Sequence, residues 1–337
     1  MTEISSPSLN NMPDLVIERI MEKSDWKSVL TLRQVSQHLR YQVDISSTSS
    51  GIFSIEFDIG RNKIEMKIRS ENQEDKLTYT YNPNRNLCWR KWNDNKKALL
   101  KTKNIGDSAM ADFELLLRIQ KSLSDGLIFY INSLVNPNTS SFSRALQNVL
   151  ESRAKPLKTG KLEMTCPLSS QVMAILPYLD PVSLKSIILI RDGSLDFSLN
   201  EIVKTKQWKN ANYLNLECYD TMNAMIGPVK HMTHFSRVNL RGVTISASEL
   251  NFLKNAYYKR KQFEQKFEAW RVKIPDFKQL STIWGAPSFA GENRSWYFRI
   301  PNSKNGIFQV SCDQKYQVKM NWITSDRVRK GAVIQNV

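Results

Sequence analysis

Residues 187–216 read IILIRDGSLDFSLNEIVKTKQWKNANYLNL, and the alternation inside this stretch decides the fold. It opens on an unbroken apolar run, Ile187-Ile188-Leu189-Ile190, then turns at Gly193. A short helix is predicted over Leu199–Lys204, and a second apolar run follows at Tyr213–Leu216. Four consecutive apolar residues suit a strand of a parallel sheet covered on both faces. Strand, helix, strand in this order is the unit from which parallel sheets are built.

The same pattern extends in both directions. Further strands are predicted at Leu127–Ile131, Leu162–Cys166, Phe235–Leu240 and Ala269–Ile274. Helices lie between them at Phe142–Leu150, Gln171–Leu176 and Ala247–Lys261. With Ile128, Leu162, Ile188, Leu214, Val238 and Trp270 as markers, the spacings are 34, 26, 26, 24 and 32 residues. Most lie near the period of about 20–29 residues of leucine-rich-repeat solenoids. The repeats are degenerate, so the expectation is an irregular, leucine-rich-repeat-like βα array. Trp208 is expected to anchor its core. The run Tyr257-Tyr258-Lys259-Arg260-Lys261 is expected at the exposed end of a helix, where cations complement the dipole.

Upstream the period changes. Asp107 is expected to cap a helix to about Leu123 that buries Phe113, Leu116, Leu117 and Ile119. Before it come alternating stripes: Phe53, Ile55, Phe57 and Ile59; Ile64, Met66 and Ile68; Leu77, Tyr79 and Tyr81; then Leu87-Cys88-Trp89. Gly60-Arg61-Asn62 and Asn82-Pro83-Asn84 supply turns, so this region reads as an antiparallel meander. Residues 12–44 read instead as short helices. Pro13 suits a helix start, Val16, Ile17, Ile20 and Met21 line one face, and Ser24 or Asp25 can cap a second helix carrying Val29, Leu32 and Val35, a stripe that Leu39 extends. At the C-terminal end, Trp296 and Phe298, Phe308 and Val310, then Tyr316, Val318, Met320 and Trp322 alternate as strands of a β cap. The fold class is thus α+β / α/β, in three parts: helices over 12–46, a meander over 51–105, and a βα-repeat-like region with C-terminal strands over 106–337.

The 337 residues are 41% hydrophobic, enough to bury a substantial core. No apolar run approaches the ~18–20 residues that cross a bilayer, so no membrane partner is expected. Residues 1–44 hold five basic and six acidic side chains, so the overall net charge of +16 becomes +17 on residues 45–337. That excess attracts acidic partners or nucleic acid, but the basic residues are scattered, and a solvated basic surface is the simpler account. Cys88, Cys166, Cys218 and Cys312 fit no disulfide or zinc spacing and suit a reducing compartment, the cytoplasm or nucleus.

Catalysis needs a placed acid, base or nucleophile. The only histidines are His38, His231 and His234. His231 and His234 form H-x-x-H with no third ligand at metal spacing. No Gly-rich phosphate loop, G-x-S-x-G or H-E-x-x-H occurs. Neither an enzyme nor a cofactor is expected. The densest basic-aromatic cluster, Trp89-Arg90-Lys91-Trp92, alternates as a strand does, and core packing accounts for it better than base stacking.

The segment MPDLVIERIMEKSDWKSVLTLRQVSQHLRYQVD, residues 12–44, resembles an F-box. Met12-Pro13 stands for its opening Leu-Pro, Ile17 and Ile20 for its helix face, Leu32-Arg33-Gln34-Val35-Ser36 for its central pattern, and Arg40 for its closing basic residue. Ser24 and Leu39 replace a customary leucine and tryptophan. The remainder resembles the FTH domain that follows the F-box in nematode F-box proteins, carried by Gln207-Trp208-Lys209-Asn210-Ala211, His234-Phe235 and the helix Ala247–Lys261. The resemblance implies a substrate-recruiting adaptor of a Skp1–cullin–F-box ubiquitin ligase. Pro13, Ile17, Ile20, Met21, Leu30, Val35 and Leu39 would then face a Skp1-like protein, and the C-terminal domain a protein substrate. The charge points to an acidic or phosphorylated one. Two alternatives stay open: a non-ligase F-box regulator or decoy, and an RNA-binding protein using the basic surface.

Overall fold

The computed structural model describes residues 9–46, 51–71, 73–93, 96–100, 104–120, 122–131, 137–165, 168–191, 197–219, 229–259, 266–291, 293–301, 303–313 and 317–335. Cys166, Gly193, Arg260, Lys261 and Tyr316 lie outside these residues. The chain is α+β and divides into two units: residues 1–162 with 178–183, and residues 163–177 with 184–337.

The first unit opens with three helices, α1 (Asp14–Lys23), α2 (Trp26–Val35) and α3 (Gln37–Ile45). Each boundary has a local cause. Pro13 precedes α1. The Asp25 carboxylate accepts from Ser28 N at 2.7 Å to cap α2, and Ser36 Oγ accepts from Leu39 N at 3.1 Å to cap α3. The sequence pattern carried one stripe through Val35 to Leu39. The cap at Ser36 instead starts a new helix, and Val35 ends exposed while Leu39 is fully buried.

Strands β1 (Ile52–Ile59), β2 (Lys63–Ser70), β3 (Gln73–Asn82), β4 (Leu87–Trp92) and β5 (Lys96–Leu100) pair consecutively and antiparallel, the meander its alternation predicts. Asn82 Oδ1 accepts from Asn84 N and Arg85 N, which closes the β3–β4 turn. Helix α4 (Ile105–Ile119) buries Phe113, Leu116, Leu117 and Ile119 as expected. Its cap is Asn104, however, whose side chain accepts from Gly106 N and Asp107 N, so Asp107 sits inside the first turn. The unit continues through β6 (Ser122–Leu123), β7 (Gly126–Ile131), α5 (Pro137–Glu151) and β8 (Lys158–Thr159), with β7 parallel to β1. Phe57 stacks on Phe129 at 5.3 Å, with Phe113 and Phe142 edge-on at 5.2 and 5.6 Å, and this aromatic cluster is the centre of the core.

The three helices are bound to the meander rather than appended to it. Trp26 stacks on Trp92 of β4 with ring centres 5.3 Å apart. Beside it Lys27 Nζ lies 2.7 Å from the fully buried Asp75 carboxylate of β3, which also accepts from Gln73 and Asn93. Arg90 pairs with Asp112 on α4, and the Tyr79 hydroxyl donates to the same carboxylate at 2.6 Å. Most of the Trp89-Arg90-Lys91-Trp92 cluster is thus engaged inside the chain, with Lys97 Nζ over Trp89 at 4.2 Å.

The second unit takes in most of β9 (Lys161–Thr165), then α6 (Ser169–Met173), β10 (Ser186–Arg191), α7 (Lys206–Asn210), β11 (Tyr213–Cys218), β12 (Arg237–Arg241), α8 (Ala247–Lys259), β13 (Lys266–Trp270), α9 (Gln279–Trp284), β14 (Ser288–Ala290), β15 (Asn293–Arg299), β16 (Gly306–Cys312), β17 (Val318–Thr324) and β18 (Ile334–Gln335). The strand order is β9-β10-β11-β12-β13-β17-β16-β15-β14, with β18 on β15. β10 to β13 run parallel, and β17 joins β13 antiparallel. The predicted helix over Leu199–Lys204 is a 3-10 turn, Ile202–Lys204, followed by α7, which the Thr205 side chain caps. The strand expected at Ala269–Ile274 ends earlier, at Trp270, because Arg271 turns into the left-handed region at φ 52°.

Trp208 is buried, its ring edge-on to Phe235 at 5.1 Å and its indole N–H donating to His231 O at 3.0 Å. Trp284 meets Trp296 at 5.3 Å, and both indoles donate within the unit, to Asn251 Oδ1 and Gly285 O. Tyr257 and Tyr258 are buried too, which corrects the expectation of an exposed helix end. They face inward because α8 lays that side on the sheet: Tyr257 packs near Phe267 and Tyr258 near Phe308. Of that run, Lys259 is exposed.

Candidate functional site

The side chains expected to face a partner on the N-terminal helices fall into two sets. Ile17, Met21 and Leu39 are at most 3% exposed and belong to the chain's own core, where α1, α2 and α3 meet. Ile20 and Leu30 are part-buried, and Pro13 and Val35 face solvent. Other apolar side chains join them there. Leu15, Tyr41 and Ile45 are more than half exposed, and Val16 is 41% exposed. Tyr41 and Ile45 stand four residues apart on α3 and so share a face. Helical periodicity found the apolar stripe but not which part of it this chain covers for itself.

A second surface emerges from the parallel strands. The expectation that Ile187-Ile188-Leu189-Ile190 is covered on both faces is not met. Ile187 and Leu189 are buried, whereas Ile188 and Ile190 are only part-buried, and β11, β12 and β13 alternate in the same way. One face of the sheet carries the core. The other is open and polar, as a period of two requires when one side meets water.

Strand register arranges that open face in rows. One row reads Ser186, Tyr213, Arg237, Lys266. The next is Ile188, Asn215, Asn239, Glu268 and, across the antiparallel junction, Lys319. The third is Ile190, Glu217, Arg241, Trp270. Asn215 and Asn239 of the second row and Glu217, Arg241 and Trp270 of the third, with Leu240 and Arg271, line a cavity of about 480 Å³.

Inside it, Glu217 is the hub. Asn215 Nδ2 donates to one carboxylate oxygen and the Tyr219 hydroxyl to the other, both at 2.9 Å, and Arg241 Nη1 lies 3.7 Å away. The Tyr219 hydroxyl pKa is raised, first by that hydrogen bond and then by burial and the Glu217 charge, while the Arg241 and Arg271 charges pull it down. Both of these arginines line the cavity. Arg241 also lies over the Tyr219 ring at 4.8 Å and Lys319 over Trp270 at 5.2 Å. Asn239 Nδ2 donates to the Tyr213 hydroxyl at 3.0 Å, and its carbonyl oxygen is buried without a partner. Against two carboxylates the face sets Arg237, Arg241, Lys266, Arg271 and Lys319.

His234 Nε2 lies 2.7 Å from the Trp208 carbonyl oxygen, its ring 4.1 Å from Phe235. Among the described residues no group of three or more His, Cys, Asp or Glu side chains is placed to hold a metal ion. Nor is any described helix long and apolar enough to cross a membrane.

Every residue lining the cavity lies in one recognisable segment. Residues 140–283 match the FTH domain. The FTH domain thus takes in β10 to β13, their helices, and the open face with its cavity. No curated protein is similar to the chain. The cavity residues were missed at the level of sequence. Tyr213-Leu214-Asn215-Leu216-Glu217 does show the necessary alternation, and a polar residue at every second strand position was the available signal.

Proposed function

We propose that the chain is a substrate-recruiting adaptor of a Skp1–cullin–F-box ubiquitin ligase, a non-catalytic subunit working in the cytoplasm or nucleus. The N-terminal helices would dock on a Skp1-like protein that bridges to a cullin, and the FTH domain would hold the substrate. Ubiquitin transfer then gains from proximity, since tethering raises the local concentration of substrate lysines. The FTH match supports the reading, because this domain accompanies an F-box in the proteins the sequence resembles. The observation that carries it is the apolar surface of the three helices. Leu15, Val16, Val35, Tyr41 and Ile45 remain in water on helices that already have a core of their own. Large apolar side chains exposed so closely together along a short segment mark a protein interface.

Burial dictates how to test this. Ile17→Asp would place a charge in the helical core and unfold it, so its failure to bind would say nothing. A double variant of exposed positions, Val16→Asp with Val35→Asp, leaves that core intact. Wild type should co-purify with Skp1 and a cullin, and the variant should lose both while melting at the wild-type temperature. Capture of Skp1 without cullin would assign a regulator or decoy. Wild type that captures no Skp1 would end the adaptor reading.

A further inference from the structure

The FTH cavity has features that the adaptor reading does not itself require. Arg271 adopts φ 52° without being glycine, is exposed, and makes no hydrogen bond or ion pair among the described residues. A non-glycine residue in the left-handed region is a strain that persists where something else demands it. Arg241 makes one loose ion pair, at 3.7 Å, which leaves most of its five donors unused. Trp270, 46% exposed, forms an apolar wall under Lys319. Together these supply donors for an oxyanion and a flat apolar surface beside them.

We propose that this cavity holds an extended segment of the substrate, with the oxyanion of an acidic or phosphorylated side chain between Arg241 and Arg271. The proposal rests on the adaptor reading only for the word substrate. Strands lie about 4.8 Å apart, so the span from β11 to β13 is about 10 Å, the reach of roughly three extended residues. Guanidinium forks match carboxylate and phosphate alike. A nucleic acid strand fits less well. Glu217 and Glu268 stand in the last two rows and would repel successive backbone phosphates, whereas an extended peptide brings a single anion on an uncharged backbone.

The test uses the full chain and fluorescence anisotropy with four probes: a short aspartate-rich peptide, the same peptide with phosphoserine, a glutamine version, and a mixed-sequence RNA. The acidic probes should bind and the glutamine version should not. Tighter binding of phosphoserine would assign the phosphate, and equal or tighter binding of aspartate the carboxylate. Arg241→Gln and Arg271→Gln should each weaken binding at least about tenfold, while Lys209→Gln, an exposed lysine away from the cavity, should not. Arg271→Gly separates function from folding. It relieves the strained backbone and so should melt no lower than wild type, yet bind as weakly as Arg271→Gln. The proposal is overturned if neither acidic probe binds by ~1 mM, if Lys209→Gln costs as much as the cavity variants, if the glutamine peptide binds equally, or if the RNA binds tighter than both peptides. Because Skp1 capture is read on the N-terminal helices, either reading can fail while the other stands.

Discussion

Asp25 shows how much one residue of this chain can set. It caps α2, and the hydrogen bonds from Ser28 hold its carboxyl below the ordinary 3.8. A depressed folded-state pKa means that the ionised cap stabilises the fold above the unfolded value, and that this contribution is lost as pH falls through the folded value. Asp25→Ala should therefore destabilise the first unit by about 1 kcal/mol at neutral pH. The difference from wild type should shrink in acid, a trend that urea titrations at a series of pH values would resolve. Asp25→Asn keeps an acceptor and should show the smaller loss, with little dependence on pH. Side chains of this kind were legible in the sequence, since Asp25 stood out as a candidate cap. Asn104 was not, because Asp107 offers the same chemistry three residues on and only backbone geometry chooses between them. The left-handed backbone of Arg271 leaves no trace in residue type at all.

At the scale of elements, the parallel strands depend on how closely their ends approach. Gly242 follows β12 at φ 66°, and a Cβ there would stand 2.1 Å from the carbonyl oxygen of Cys218 at the end of β11. The clash is with backbone and cannot be relieved by a rotamer change. Gly242→Ala should cost more than ~2 kcal/mol, combining left-handed strain with displacement of β11 against β12. Chemical denaturation followed by tryptophan fluorescence would measure it. A loss near zero would mean that the two strand ends move apart freely. Periodicity gave the meander and the parallel strands well, because β2 and β11 alternate sharply. It misjudged β10, where isoleucine occupies both faces. Ile188 and Ile190 read as core by composition, yet their neighbours in register, Asn215 and Glu217, belong to the open side. A single strand cannot reveal this, whereas the row across the sheet does.

The whole molecule raises the question of which parts stand alone. The helices over 12–46 read as a separate module in the sequence, but they lie in the same compact unit as the meander. The contacts explain why. Without Lys27 the buried Asp75 would lose its cation, and without Trp26 the Trp92 ring would lose its stacking partner. A chain beginning at Gly51 should therefore melt lower by roughly 10 °C or more, given the removal of a buried tryptophan and an ion pair together. Differential scanning calorimetry would show it, and an unchanged transition for the meander would establish the helices as independent. The sequence could not show this dependence, because Trp26 and Trp92, like Lys27 and Asp75, are distant along the chain and each has an adequate local explanation.

The two-sided character of the FTH strands has one more consequence, for heredity. Positions 214, 216, 238, 240, 267 and 269 hold the fold together, while 215, 217, 239, 241, 268 and 270 look outward between them. A codon change in the second set can alter what is gripped while leaving the ability to fold nearly untouched. Gene copies of such a chain could drift towards new targets in single steps, without passing through a collapsed intermediate.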